Sequence, residues 1–357
     1  MNGCLCRKKR DFLFERKMKR QEIQAYLEAH KNVTERYPFK VSDYYLALIK
    51  EEGDGIWLQC MPSDKELENP DGLQDDGLGE HGQSPCPRLI HRYPDRVAFF
   101  ATNRCFSYCR FCFRKRFWKC GNTESAVTDE QFNAILAYLE KHREVKDVLL
   151  TGGDPLTMPD ERIEFLLKKL FSAGGVETVR LCTRAPVFQP DRMTEALAER
   201  LSQFTGLWLV THYNHPAELT DEAMRACGRF RKKGIPLLNQ TVLLKGVNDD
   251  VNTLTALFRG LVRNGIKPLY LFHCDPILGT AHFATGIDKG LAMLRIFRRN
   301  LSSIATPFFA IDLPEGGGKV CLQPDYEADG GKGFYYTIDG RKVFHPLTVR
   351  GDNPGKS

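Results

Sequence analysis

From residue 97 onward the chain alternates between two kinds of segment. Short apolar, β-branched or aromatic runs read as buried strands: VAFFAT (97–102), VLLTG (148–152), TVRLCT (178–183), LWLVTHY (207–213), LLNQTVLL (237–244), PLYLFHCD (268–275) and FFAID (308–312). Between them lie helix-length stretches with apolar residues at three/four spacing, at 129–142, 161–171, 193–201, 221–233 and 253–262. Strand starts fall roughly 30 residues apart, the spacing of βα units. Parallel strands with helical crossovers give a barrel or a doubly wound sheet. Ahead of this core, residues 8–30 carry a helical pattern and 40–50 predict a second, short helix. Residues 61–88 are rich in Pro, Gly and Asp, hold seven acids and lack apolar periodicity, so they read as a connecting segment. Residues 335–344 predict a terminal hairpin around Asp339-Gly340. The expected organisation is a helical region with linker at 1–90, a barrel core at 91–302 and a C-terminal segment at 303–357.

The polar residues choose between the two α/β architectures. The first strand is followed by three clustered cysteines, the second runs into Thr151-Gly152-Gly153-Asp154, and the third into Thr183-Arg184. The fourth ends at His212, the fifth carries Asn239-Gln240, the sixth ends at Asp275, and the seventh at Asp312. Active sites of parallel barrels sit at the C-terminal strand ends. Chemistry delivered to one rim by all seven strands favours a barrel with one large site.

Composition removes several classes. Hydrophobic residues make up 42% of the 357 positions, enough for a real core, and no apolar run approaches the length of a membrane span. The N-terminus has a basic run without an apolar core behind it, so no secretory signal is read and a cytoplasmic enzyme is expected. The net charge of +6 resides in residues 1–40, with 11 Lys/Arg against 5 Asp/Glu, while the remainder holds 40 of each. A nucleic-acid partner would call for a basic stripe across the body, and none is expected.

Nine of the twelve cysteines are scattered, which argues against a disulfide framework. Cys105, Cys109 and Cys112 form a C-x3-C-x2-C loop directly after a strand. Three thiolates on one loop suit zinc or an iron–sulfur cluster. Zinc would need a fourth ligand, for which Cys120 is the nearest candidate, whereas a [4Fe–4S] cluster on three cysteines keeps one iron open. This spacing after the first barrel strand resembles the radical S-adenosylmethionine (SAM) superfamily. The resemblance implies a partial (β/α)6-type barrel in which the open iron takes SAM, with Thr151, Gly152, Gly153 and Asp154 beside its methionine moiety.

Lys319 follows three glycines in Pro314-Glu-Gly-Gly-Gly-Lys319, either on a mobile surface loop or in a turn that holds pyridoxal phosphate (PLP) as a Schiff base. Arg92 and Arg96, in His91-Arg-Tyr-Pro-Asp-Arg96, have the character of a phosphate clamp. HRYPDR, CxxxCRFCFRKR, LLTGGDPL, HYNHP, NQTVLLKGVND, CD(x6)HF and GGGK occur in this order over residues 85–325. In that ordered set the chain resembles the lysine 2,3-aminomutase family, over about two thirds of its length. The resemblance implies that Cys105, Cys109 and Cys112 bind the cluster, Lys319 binds PLP, and Arg92 and Arg96 hold its phosphate. It further implies that Arg114 binds the substrate α-carboxylate and that His212, Asn239 and Gln240 lie near SAM. The alternative for Arg114 is a basic run that faces solvent.

Asp275 and Asp312 occupy the positions that grip the distal ammonium of lysine in that family. A buried carboxylate pair requires a cation, so a basic amino acid is expected: lysine first, arginine second, glutamate not. The alternative is that one of the two caps a loop. The implied reaction is a 1,2-amino shift to a β-amino acid, with a flavodoxin or ferredoxin as electron donor. Three departures from the family pattern stand out: Asp250 where those relatives carry a cysteine, with no cysteine after Cys321; Glu315 in place of a glycine; and an N-terminal arm with Cys4-x-Cys6. A homo-oligomer without intersubunit zinc is expected. The competing readings are a radical SAM enzyme acting on RNA or a translation factor, and a zinc-binding interaction protein.

Overall fold

A computed structural model describes residues 20–119, 123–328, 333–337 and 339–345. The basic arm with Cys4 and Cys6, the first part of the 8–30 helix, and Cys120 lie outside the described residues. Nine strands form one sheet in strict chain order. They are β1 (Leu89–Tyr93), β2 (Arg96–Thr102), β3 (Asp147–Gly152), β4 (Thr178–Cys182), β5 (Leu207–Thr211), β6 (Leu237–Leu243), β7 (Ile266–His273), β8 (Phe308–Leu313) and β9 (Gly318–Leu322). Strands β2 to β8 run parallel, while β1 and β9 are antiparallel edges. A separate pair, β10 (Phe334–Tyr336) and β11 (Lys342–Phe344), forms the expected terminal hairpin.

Four short helices precede the sheet: α1 (Arg20–Ala29), α2 (Lys31–Arg36), α3 (Asp43–Leu46) and α4 (Trp57–Cys60). The crossovers carry α5 (Asp129–Lys141), α6 (Asp160–Ser172), α7 (Ala185–Phe188) with α8 (Glu195–Ser202), α9 (Asp221–Lys232), α10 (Val251–Arg263) and α11 (Ile287–Asn300). This is six βα units and a seventh parallel strand. Helix starts follow the capping chemistry of the sequence: the side chains of Thr128, Thr194, Thr220 and Asp250 each accept a hydrogen bond from a backbone N–H three residues on. Asp250 therefore has a local task as the N-cap of α10. Outward strand residues such as Phe99, Val148, Leu150, Val179 and Leu209 pack under the apolar helix faces and form the core.

The inward residues Ala98, Leu149, Arg180, Trp208, Leu238 and Tyr270 line one cavity, so the sheet curls into a barrel rather than lying open. Its two edges do not pair as strands. They meet through a side chain: the Tyr93 hydroxyl on β1 accepts a hydrogen bond from the Lys319 N–H on β9 at 2.6 Å. Neither edge strand is legible in the sequence, because His-Arg-Tyr and a glycine run show no apolar alternation. Lys319 consequently sits on a strand opposite Asp312, not in a free turn.

The stretch 61–88 is not a linker. Glu66 is fully buried between Arg110 (2.6 Å) and Lys115 (2.7 Å) and closes a capping box with Ser63. Gln74 bridges Ile277, and Asp75 pairs with Lys119. The acids of this stretch match the basic residues of the cysteine loop, a long-range pairing that leaves no local periodicity. The helix expected at 40–50 shortens to α3, capped by Ser42.

Candidate active site

The barrel encloses a cavity of about 670 Å3. Every sequence-predicted site residue but one lines it: Arg92, Arg96, Cys105, Cys109, Cys112, Arg114, Thr151, Gly152, Gly153, Asp154, His212, Gln240, Asp275, Asp312 and Lys319. The exception is Asn239. Strand alternation turns Leu238, Gln240 and Val242 inward and Asn239 outward. There its amide is satisfied by the Tyr213 backbone, Thr211 and Thr241. Asn214 and Asn248 of the neighbouring motifs likewise bind backbone, of β6 at Val242 and, for Asn248, also of Asn214 and Leu244.

The cysteine loop leaves β2 and folds back over the rim. The Gly152-Gly153 pair brings the end of β3 against it: a Cβ at Gly152, where φ is +122°, would lie 2.2 Å from Thr102 O, and one at Gly153 would lie 2.1 Å from Arg104 O. Close approach thus serves the backbone that leads into Cys105. Asp154 is also engaged internally, since its carboxylate accepts from Thr183 Oγ1 (2.7 Å), Arg184 N (2.8 Å) and Leu156 N (3.0 Å). Burial pushes all three thiols up, Cys112 to about 11; neighbouring sulfurs add to the rise at Cys105 and Cys112, while Arg184 opposes it at Cys109. Among the described residues no three His, Cys, Asp or Glu side chains are arranged around a single ion position. The three thiols of one loop line the same cavity and a cluster takes each on a different iron, so the donor set fits a cluster. Facing them, His212 has a buried Nε2 without a hydrogen-bond partner among the described residues, and burial together with Arg184 drives its pKa down to about 3. A neutral imidazole whose Nε2 is left open in the same cavity as the thiols fits a polar ligand such as SAM.

At the opposite side of the cavity, Lys319 Nζ lies 3.7 Å from Asp312 Oδ2 and 4.4 and 5.0 Å from the ring centroids of Phe272 and Tyr270. Burial lowers its ammonium pKa and Asp312 opposes the shift. An amine desolvated over aromatic rings has the character of a Schiff-base lysine. Burial raises Asp275 to about 7, with Asp312 adding to the rise. Arg96 stacks on Tyr93 at 3.8 Å, and Arg92 donates to Gln83 Oε1 (2.6 Å) and Leu78 O (2.8 Å). Lysine, arginines and cavity fit a phosphorylated aldehyde cofactor. Glu315, the departure in the glycine run, is exposed with φ +53° and does not line the cavity.

Four contributors take roles that the sequence does not announce, although it does place Arg184 at the end of the third strand. Arg184, buried in a network with Gln59 and Glu218, donates to Cys109 Sγ at 2.9 Å. Arg180 pairs with Asp147 at 2.7 Å within the cavity. Tyr93 joins the barrel edges. Glu80 binds Arg114 at 2.7 Å and pairs with Arg116 as well. An arginine in the middle of a β-branched run (Arg180) is the one available signal, since a charge there demands a buried partner.

Residues 99–257 match the radical SAM superfamily, in agreement with the barrel and the cysteine loop. The protein is therefore a radical SAM enzyme. It is 40% identical over 315 residues to the L-lysine 2,3-aminomutase of Acetoanaerobium sticklandii, covering 86% of this chain and 76% of that one. The L-lysine 2,3-aminomutase of Clostridium subterminale is 40% identical, with 80% and 69% covered. The glutamate 2,3-aminomutase of Clostridioides difficile is 36% identical, with 85% and 72% covered. The chain belongs to the lysine 2,3-aminomutase family, isomerases that use a [4Fe–4S] cluster, SAM and PLP.

Proposed function

We infer that this protein is a 2,3-aminomutase that moves the α-amino group of L-lysine to Cβ, giving β-lysine, with arginine as the second-ranked substrate. The observation that carries the reading is the pair Asp275 and Asp312 at the Lys319 end of the cavity. Two carboxylates there, one raised to about 7 by burial and its neighbour, are relieved by a substrate ammonium. A glutamate side chain would add a third negative charge. In this reading Cys105, Cys109 and Cys112 hold the cluster, with Thr151, Gly152, Gly153, Asp154, His212 and Gln240 around SAM. Lys319, Arg92 and Arg96 hold PLP. The cluster with SAM supplies a hydrogen-abstracting radical, and PLP supplies the carbonyl that carries the migrating nitrogen.

The chain's own work is orientation and shielding. Arg114 fixes the α-carboxylate as the two aspartates fix the far end, so Cβ is held in a set place between them. Phe111, Phe272 and Tyr270 give the cavity apolar walls that keep water from a reactive centre. Burial lowers the proton affinity of the Lys319 amine, which suits it to hold PLP. The electron comes from a flavodoxin- or ferredoxin-like donor, the protein works in the cytoplasm, and it assembles as a homo-oligomer without intersubunit zinc. Among the described residues no helix is long and apolar enough to cross a membrane.

The test is an anaerobic reaction of reconstituted protein with SAM, PLP and reductant, offering lysine, arginine and glutamate separately, beside Lys319→Ala. A β-isomer of lysine that disappears in the variant is the expected result. Cleavage of SAM without isomerisation of any free amino acid would overturn it and bring forward an RNA or protein substrate.

A further inference from the structure

The stretch 74–84 touches the site at several points. Gln74 bridges Ile277, two residues beyond Asp275, and its carbonyl accepts from Leu278 N at 3.1 Å. Leu78 and Gln83 hold Arg92. Gly79 lies against the Glu315–Gly316 backbone, where an added Cβ would come within 3.1 Å. At the centre stands Glu80, 4% exposed.

A guanidinium offers two edges for a carboxylate, one formed by Nε with a terminal nitrogen and one by the two terminal nitrogens. Glu80 occupies the first edge of Arg114, taking Nε at 3.2 Å and Nη2 at 2.7 Å. The Arg114 Cζ lies 4.4 Å from the ring centroids of both Phe100 and Phe113, which restrict its faces. Among the described residues no other hydrogen bond engages this guanidinium. Glu80 is itself fixed, because Arg116 binds its second oxygen.

We propose that Glu80 is the positioning residue of the substrate-carboxylate fork: it clamps the Nε edge of Arg114 so that the Nη1–Nη2 edge faces the cavity and receives the α-carboxylate. The proposal rests on the reading of Arg114 as that fork. A carboxylate acting as a rival to substrate would stand on the open edge. Glu80 stands on the other one, nearly inaccessible and shared between two arginines. It contributes geometry to the fork and no atom to the substrate.

The experiment measures binding to PLP-loaded, SAM-free protein by equilibrium dialysis, with L-lysine and 1,5-diaminopentane as probes. The second lacks only the carboxylate. Glu80→Gln is expected to weaken L-lysine about tenfold or more while leaving the diamine unchanged, and Glu80→Asp to recover part of the loss. Equal weakening of both probes would overturn the proposal by showing a merely structural role, as would no change in either or a tighter L-lysine complex. Arg114→Gln separates the two levels. If it fails to discriminate between the probes, the fork reading is wrong; if it discriminates and Glu80→Gln does not, the clamp alone is wrong. Should Glu80→Gln fail to fold, Glu80→Asp carries the same comparison.

Discussion

Asp275→Asn should stabilise the cofactor-free protein at pH 8 while destroying its hold on lysine. The folded state keeps a proton on Asp275 up to about 7, against 3.8 in an unperturbed chain, because burial and the neighbouring Asp312 disfavour the anion. The native state thus binds more protons than the unfolded state between those values, and stability falls as pH rises through that window. Each factor of ten in proton affinity is worth about 1.36 kcal/mol, so complete ionisation would cost about 4 kcal/mol without relief. Asparagine has no such penalty. Urea unfolding of both proteins at pH 5 and pH 8 should show the variant ahead at pH 8, with the gap narrowing toward pH 5. Adding lysine should raise the wild-type midpoint and leave the variant's unmoved. A variant no more stable than wild type at pH 8, or a gap that ignores pH, would refute the argument.

The same carboxylate shapes activity: kcat/KM for lysine should rise as pH passes through about 7 and then level, since only the ionised Asp275 pairs with the ammonium, and Asp275→Asn should flatten that step. Cys112→Ala should lose iron and SAM cleavage but keep the Lys319-dependent PLP absorbance, whereas Lys319→Ala should lose that absorbance and keep iron; loss of both in either variant would contradict two separable cofactor sites. Gly153→Ala places a Cβ at 2.1 Å from Arg104 O, and it should lower thermal stability together with iron retention, read by calorimetry and iron analysis. Iron held normally by a destabilised Gly153→Ala protein would show that this contact supports the fold but not the cysteine loop.

The sequence by itself determined the seven parallel strands, the cysteine triplet at the end of the first of them, and the rim that the other strands supply. Strand pattern, cap and motif are local properties written at short spacing, and side chains at strand ends share a face once the strands are parallel. Inward and outward alternation could also have placed Asn239 on the helix side, but its position within a motif drew it toward the site. Only the tertiary structure decided which residues complete the cavity. The edges β1 and β9 are strands because they pair antiparallel with β2 and β8, and Tyr93 and Lys319 then join them across the seam; neither is apolar enough to announce itself. Residues 61–88 resemble a linker because the partners of Glu66 and Glu80, namely Arg110, Arg114, Lys115 and Arg116, lie 34 to 49 positions away. A buried ion pair is fixed by distance in space and by the loss of solvent around both charges, and neither quantity has a period along the chain.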